Sequence, residues 1–227
     1  MLKYIYLLRY FLYISLNWNP KLAWFSVKEE IRGERKYNLD TVRINDLKKM
    51  TLKGPLDQAE IYQAANYFLL EHLLHRLKKL KIGDHILDMG CGKGRVLAVS
   101  AYFGFNYISG VEFSKELCEE ALSTIAPLKL KFPQKTFNVY YENAVNFLIP
   151  NDVNVVFFFN PFNEISMLAV VKNILASYKI HYRAIYIIYM NPMHKEIFLS
   201  AGFEEIYFFE KYYYIQGSIL KLSRSKK

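Results

Sequence analysis

The residue types best suited to holding a small charged ligand are concentrated in Ile86-Leu87-Asp88-Met89-Gly90-Cys91-Gly92-Lys93-Gly94-Arg95. An apolar run leads into glycines at alternate positions. Such a loop turns tightly, lets a ligand approach without Cβ clashes and opens a helix whose first N–H groups are free. Asp88 stands where the apolar run ends. A carboxylate there repels a pyrophosphate but accepts hydrogen bonds from a cationic amino group, so an amino-acid-like ligand fits better than a dinucleotide. The dinucleotide fingerprint fails because Arg95 takes its third glycine position, and the P-loop pattern fails because Gly94 follows Lys93. Further on, Gly110-Val111-Glu112-Phe113 ends a second apolar run with an acid able to accept from both hydroxyls of a ribose. A third polar position, Asn160 of Asn160-Pro161-Phe162, also follows an apolar run. Pro161 disfavours helical backbone at Asn160, so that side chain is presented from an extended segment, and Phe162 can border a planar or apolar substrate. Tyr62 and Tyr37 are weaker candidates beside it.

These residues need a scaffold that brings three chain segments together. Residues 1–55 read as a basic, partly helical lead-in, or lid, that ends at the breaker Gly54-Pro55. Asp57 can cap the next helix, with Glu60 as its reciprocal partner, and apolar residues recur at helical spacing from Ile61 to Leu80. His72 and His75 on this helix read as surface or rim histidines. Strands are predicted at 85–89, 107–111, 136–141, 153–159 and 184–189, with helices at 95–103, 115–125, 165–177 and 194–200. Strand and helix in alternation form the βαβ pattern of a doubly wound, mostly parallel α/β sheet. Residues 204–209 and 212–222 have no helix between them, which predicts a closing antiparallel hairpin and seven strands in total. The domain spans 56–222, and 223–227 is a basic tail. In such a sheet Asp88, Glu112 and Asn160 emerge around one crevice. A second pair, Asn191-Pro192, reads as a turn.

Composition sets the bounds. The chain has 227 residues, 52% of them hydrophobic and 22% charged, which is globular rather than disordered. Its 19 Tyr and 17 Phe fall largely in strand-like runs and read as core. The net charge of +9 is uneven: residues 1–83 carry 15 Lys and Arg against 8 acids. That field suits an acidic partner, whether nucleic acid or an anionic membrane surface. Residues Leu2 to Leu16 are apolar but interrupted by Lys3 and Arg9. They are too short a run to span a bilayer and read first as an amphipathic helix packed on the domain, while Trp18, Trp24 and the adjoining cations also suit peripheral membrane contact. The two cysteines, Cys91 and Cys118, form no disulfide framework and no metal-site spacing, so a cytoplasmic, metal-free protein is expected.

The Asp88-x-Gly90-x-Gly92-x-Gly94 motif followed by Gly110-Val111-Glu112 resembles the cofactor site of the class I S-adenosylmethionine-dependent methyltransferases, over about residues 57–222. Lys36-Tyr37-Asn38-Leu39-Asp40-Thr41 and the Asn160-Pro161-Phe162 segment are similar to a bacterial group in that superfamily and, distantly, to Dot1-type protein lysine methyltransferases. The resemblance implies S-adenosyl-L-methionine as cofactor. Asp88, Gly90, Cys91, Gly92 and Gly94 would lie near its methionine part, Glu112 at the ribose and Phe113 on the adenine. Either Asn143 or Glu142 would bind the adenine amino group, while Gln63 and Tyr62 would line the pocket. Asn160-Pro161-Phe162 resembles the Asn-Pro-Pro-aromatic motif of enzymes that methylate planar nitrogens, short by one proline. The acceptor stays open among a nucleobase, a protein amine and a small molecule or lipid, with nitrogen favoured over carbon. Asn160 would orient the nucleophile and Phe162 its plane. The competing readings are a non-catalytic module binding the same cofactor and a nicotinamide oxidoreductase.

Overall fold

The computed structural model describes residues 2–42, 50–53, 63–80, 82–159 and 162–223. Two helices, α1 (Leu2–Asn17) and α2 (Pro20–Tyr37), occupy most of the segment expected to be a partly helical lead-in. The sharp turn between them has a local cause. Asn19 is extended and its side chain accepts from the Leu22 N–H at 2.7 Å, while Pro20 starts α2 without an N–H to leave unpaired. The third helix, α3 (Tyr67–Lys78), is capped by Asn66; Asp57 and Glu60, the expected cap and partner, lie outside the described residues.

Strands and helices then alternate as β1 (His85–Met89), α4 (Arg95–Tyr102), β2 (Tyr107–Glu112), α5 (Lys115–Lys131), β3 (Thr136–Tyr141), β4 (Val155–Phe159), α6 (Glu164–Ile180), β5 (Ile185–Met190) and α7 (Lys195–Ser200). The antiparallel pair β6 (Glu204–Lys211) and β7 (Ile215–Leu222) closes the chain. The sheet order is β3-β2-β1-β4-β5-β7-β6, parallel throughout except where β7 pairs with β5 and with β6. This is the doubly wound, mostly parallel seven-stranded sheet with a closing antiparallel hairpin expected from the strand pattern. α5 continues beyond the predicted end, through Pro127, because Ile125 and Leu128 on either side of it are buried in the core.

Side-chain alternation along each strand builds a core on each face of the sheet. Ile86, Ile108, Phe137 and Phe157 face α3, α4 and α5, and Ile14, Leu22 and Tyr37 of the N-terminal helices join that same cluster. Leu87, Met89, Val111 and Phe158 face the other way, against Met167 and Ile174 of α6 and Phe198 of α7. The N-terminal helices therefore share the core of the sheet instead of forming a separate body.

Candidate functional site

The register of β1 and β2 brings the two predicted acids to one edge. Asp88 lies level with Gly110 on β2 and with Phe157 on β4, and Glu112 ends β2 level with Tyr141 of β3. Residues two apart share a strand face, so Asp88, Gly110 and Glu112 all lie on the α4 side. The loop between them is built for close approach. Gly90, Gly92 and Gly94 have φ of 83°, 50° and 79°, a region costly for a side chain. The N–H groups of Gly90 and Cys91 both donate to the Val111 carbonyl, at 2.9 and 3.0 Å, which stitches the loop to β2. A Cβ on Gly110 would stand 2.7 Å from both Cβ and Sγ of Cys91, so the loop sits where it does only because residue 110 has no side chain.

The electrostatics are lopsided. Asp88 is 3% exposed and Glu112 4%. Glu112 accepts from the Gly92 N–H at 2.8 Å through one oxygen and from the Ser114 N–H at 3.0 Å through the other. A carboxylate has about four lone-pair positions, so acceptor capacity remains for a hydroxyl donor. Asp88 receives no comparable donor among the described residues, and burial, followed by the charge of Glu112, pushes its pKa well above the usual carboxylate range. Burial also raises the Glu112 pKa against the lowering effect of its backbone donors. The cations of the loop are committed elsewhere. Lys93 pairs with Glu120 at 3.0 Å. The Arg95 guanidinium pairs with Glu30 and Glu34 of α2, donates to Thr41 at 2.7 Å and lies over the Tyr67 ring at 4.1 Å. The site thus holds two adjoining buried carboxylates beside a glycine loop, and a cationic ligand would relieve both.

The remaining candidates divide. Cys91 is buried against Gly110, and Phe113 is half-buried with its carbonyl accepting from the Lys53 N–H at 2.9 Å. Gln63 is exposed and bonds the Tyr10 hydroxyl of α1. Of the pair left open for the adenine, Glu142 is engaged by Lys53 at 3.3 Å, and the side-chain oxygen of Asn143 accepts from the Val145 N–H at 3.0 Å. Phe162 is buried, 6.4 Å from Phe158 ring to ring, so its ring belongs to the core and is not presented at the surface. Tyr37 is buried too, and its hydroxyl donates to Glu71 between α2 and α3, which removes it from the strand ends. Asn160 and Tyr62 lie outside the described residues. Asn191 adopts φ of 50° and its N–H donates to the Gln216 carbonyl, as its reading as a turn requires. His72 is half-buried, as a rim position allows, and is bonded to the Tyr207 hydroxyl at 2.8 Å.

One contributor was not anticipated. Met50 to Lys53 runs alongside the residues that follow β2: Lys115 N–H donates to the Thr51 carbonyl at 2.9 Å, and Leu52 bridges Ser114. This segment walls the Glu112 end of the crevice. Its sequence carries no periodicity, so only the tertiary pairing shows it.

No protein-family model and no curated protein matches the chain. The likeness to solved structures is one of fold. A Pyrococcus horikoshii protein described as a candidate RNA methyltransferase is 19% identical, with a TM-score of 0.51, over 78% of this chain and 94% of that one. The methyltransferase domain of a bacterial Hen1 is 15% identical over 67% and 97%, with a TM-score of 0.52. A variant of MtNAS solved in complex with S-adenosylmethionine is 16% identical over 69% and 62%, with a TM-score of 0.51.

Proposed function

We propose that the chain is an S-adenosylmethionine-dependent methyltransferase. One observation carries this reading: Asp88 and Glu112 are buried side by side at the strand ends with no cation of the loop turned toward them. A dinucleotide would bring a pyrophosphate to two carboxylates and lose affinity by like-charge repulsion. Adenosylmethionine instead brings an ammonium and a sulfonium, and both favour the ionised form of the acids. Asp88 would hold the ammonium, the glycine loop would lie along the methionine backbone and Glu112 would take the ribose with its remaining acceptor capacity. When bound, the cofactor supplies an electrophilic methyl group. The protein's part is to exclude water, align the acceptor in line with that methyl and orient its lone pair.

Asn160, which follows β4 in the chain, is the residue we assign to acceptor orientation, and a nitrogen acceptor suits its amide carbonyl. With the Phe162 ring buried, the planar-nitrogen motif is incomplete, and the acceptor class is a matter for assay. Glu30 and Glu34 of α2 reach the start of α4, and Thr51–Lys53 pairs with the residues that follow β2, which suits a substrate platform. Calorimetry with adenosylmethionine and with NAD tests the cofactor. Binding of the former alone is expected, and Glu112→Ala should weaken it at least tenfold, about 1.4 kcal/mol. Unchanged affinity in the folded variant would remove the ribose assignment. Transfer of labelled methyl to fractionated RNA, DNA, protein and lipid then identifies the acceptor and separates an enzyme from a binding module.

A further inference from the structure

We infer that the protein docks on anionic membrane surfaces through a tip made by the α1–α2 turn and the β6–β7 turn, independently of what its crevice binds. Tyr13, Trp18, Tyr214 and Tyr213 form an unbroken chain of edge-to-face contacts at 5.5, 6.0 and 5.3 Å between centroids, and all four are exposed. Tyr213 is 71% exposed and Leu16, beside them at the end of α1, is 84%. Aromatic rings with a polar edge, grouped at a protein surface with aliphatic neighbours, match the headgroup level of a bilayer.

The backbone holds the tyrosines there against its own preference. Tyr212 and Tyr213 lie at φ of 54° and 67°, in a left-handed region that a turn ordinarily gives to Asn or Gly. The short turn between the paired residues Lys211 and Ile215 thus carries bulky rings where small residues would be less strained.

The helices extend the same surface. Ile5, Leu8, Leu12 and Leu16 recur at helical spacing on one exposed stripe of α1, and Lys21, Trp24, Lys28 and Arg35 do so on α2. No Asp or Glu precedes Glu29 in the chain, while Lys3, Arg9, Lys21 and Lys28 all do. Lys21 and Lys211 also sit over the Tyr212 ring at 5.6 and 5.3 Å, placing cations at the tip itself. Glu210 on the hairpin is bonded to Gln216. Aliphatic residues beside cations favour lipid over nucleic acid, because a phosphodiester backbone offers nothing to the leucine stripe. No helix among the described residues is long and apolar enough to cross a membrane, so the contact is interfacial.

The chain's two tryptophans, Trp18 and Trp24, both lie on this surface, so intrinsic fluorescence reports it directly. The full chain is mixed with vesicles of phosphatidylcholine alone or blended with phosphatidylglycerol. At least about tenfold stronger partition into the anionic vesicles is expected, with a blue shift of emission and weakening at high salt. The variant Tyr213→Gly, at an exposed position with φ of 67°, should raise the thermal midpoint yet weaken partition several-fold, a combination that a merely structural role for the tyrosine cannot produce. Equal partition into both vesicle types, or partition without a blue shift, overturns the inference. So does binding to single-stranded RNA without partition, or concentration-dependent dimerisation that alone accounts for the shift.

Discussion

Arg95, the first residue of α4, and Glu30 of α2 are ion-paired at 2.9 Å with side chains only 3% and 8% exposed. The same guanidinium reaches Glu34 at 3.3 Å and the Ala65 carbonyl. The helix that starts at the glycine loop is therefore clamped to the N-terminal helices by a buried charge network.

Arg95→Met should accordingly be costly. Removing one side of a buried pair typically costs about 3–5 kcal/mol, since the partner's charge is left uncompensated. Both Glu30 and Glu34 would lose the guanidinium, so urea unfolding should show a loss in that range. A loss below about 1 kcal/mol would mean that apolar contacts alone dock these helices.

Asp88 makes a pH-dependent prediction with a definite sign. Its folded pKa is raised by burial and by Glu112. The folded state therefore holds a proton more firmly than the unfolded state, and the ligand-free protein loses stability as pH rises from the ordinary Asp value through the raised one. Asp88→Asn should raise the thermal midpoint of the ligand-free protein near neutral pH, with the gain shrinking toward acid. It should also abolish the rise in adenosylmethionine affinity with pH that follows when a cation binds an ionised carboxylate. A midpoint difference constant from acid to neutral pH would contradict the raised pKa.

Gly110→Ala tests the contact between β2 and the loop. The added Cβ would meet Cys91 at 2.7 Å, forcing a shift that overpacking usually makes worth about 1–3 kcal/mol. Cofactor affinity should fall along with stability, because the displaced loop is the one that would line the site. Combining it with Cys91→Gly, which removes the obstructing atoms, should restore part of the affinity. No recovery would show that the damage arises in the strand itself.

Asn160→Ala separates orientation of the acceptor from a turn-forming role. Loss of an orienting amide should lower kcat/KM roughly a hundredfold, about 2.7 kcal/mol, with little change in adenosylmethionine affinity. Near-normal turnover per folded molecule, with a lowered melting point, would leave Asn160 as a strand terminator.

The sheet was legible because strands buried on both faces are written as continuous apolar runs, and the crossovers as amphipathic helices between them. The acidic edge of the crevice was legible for a related reason: Asp88 and Glu112 interrupt those runs at their carboxyl ends, where topology gathers residues. What escaped were features set by long-range pairing. Glu30 and Glu34 occupy the buried face of α2 among Leu22, Ser26, Gly33 and Tyr37, and carboxylates at core-spaced positions were the available sign that a cation must meet them. Lys53 touches Glu142 and the Tyr141 ring across a separation that no local pattern encodes. The Phe162 ring went to the core because Phe158 and the α6 side of the sheet offered it apolar contact.

The position of β7 between β5 and β6 bears on how the chain must be made. Every residue of β5 is buried, yet one edge of that strand is paired only by Ile215–Leu222, the final strand in sequence. On the ribosome, Ile185–Met190 therefore waits with an open hydrophobic edge until the last strand has emerged. Translation halted before residue 215 would release a sheet with an unpaired apolar strand, the kind of template that recruits other chains. Chaperone demand and loss to aggregates should therefore concentrate in that interval of synthesis, and C-terminal truncations should fail by insolubility more often than by inactivity.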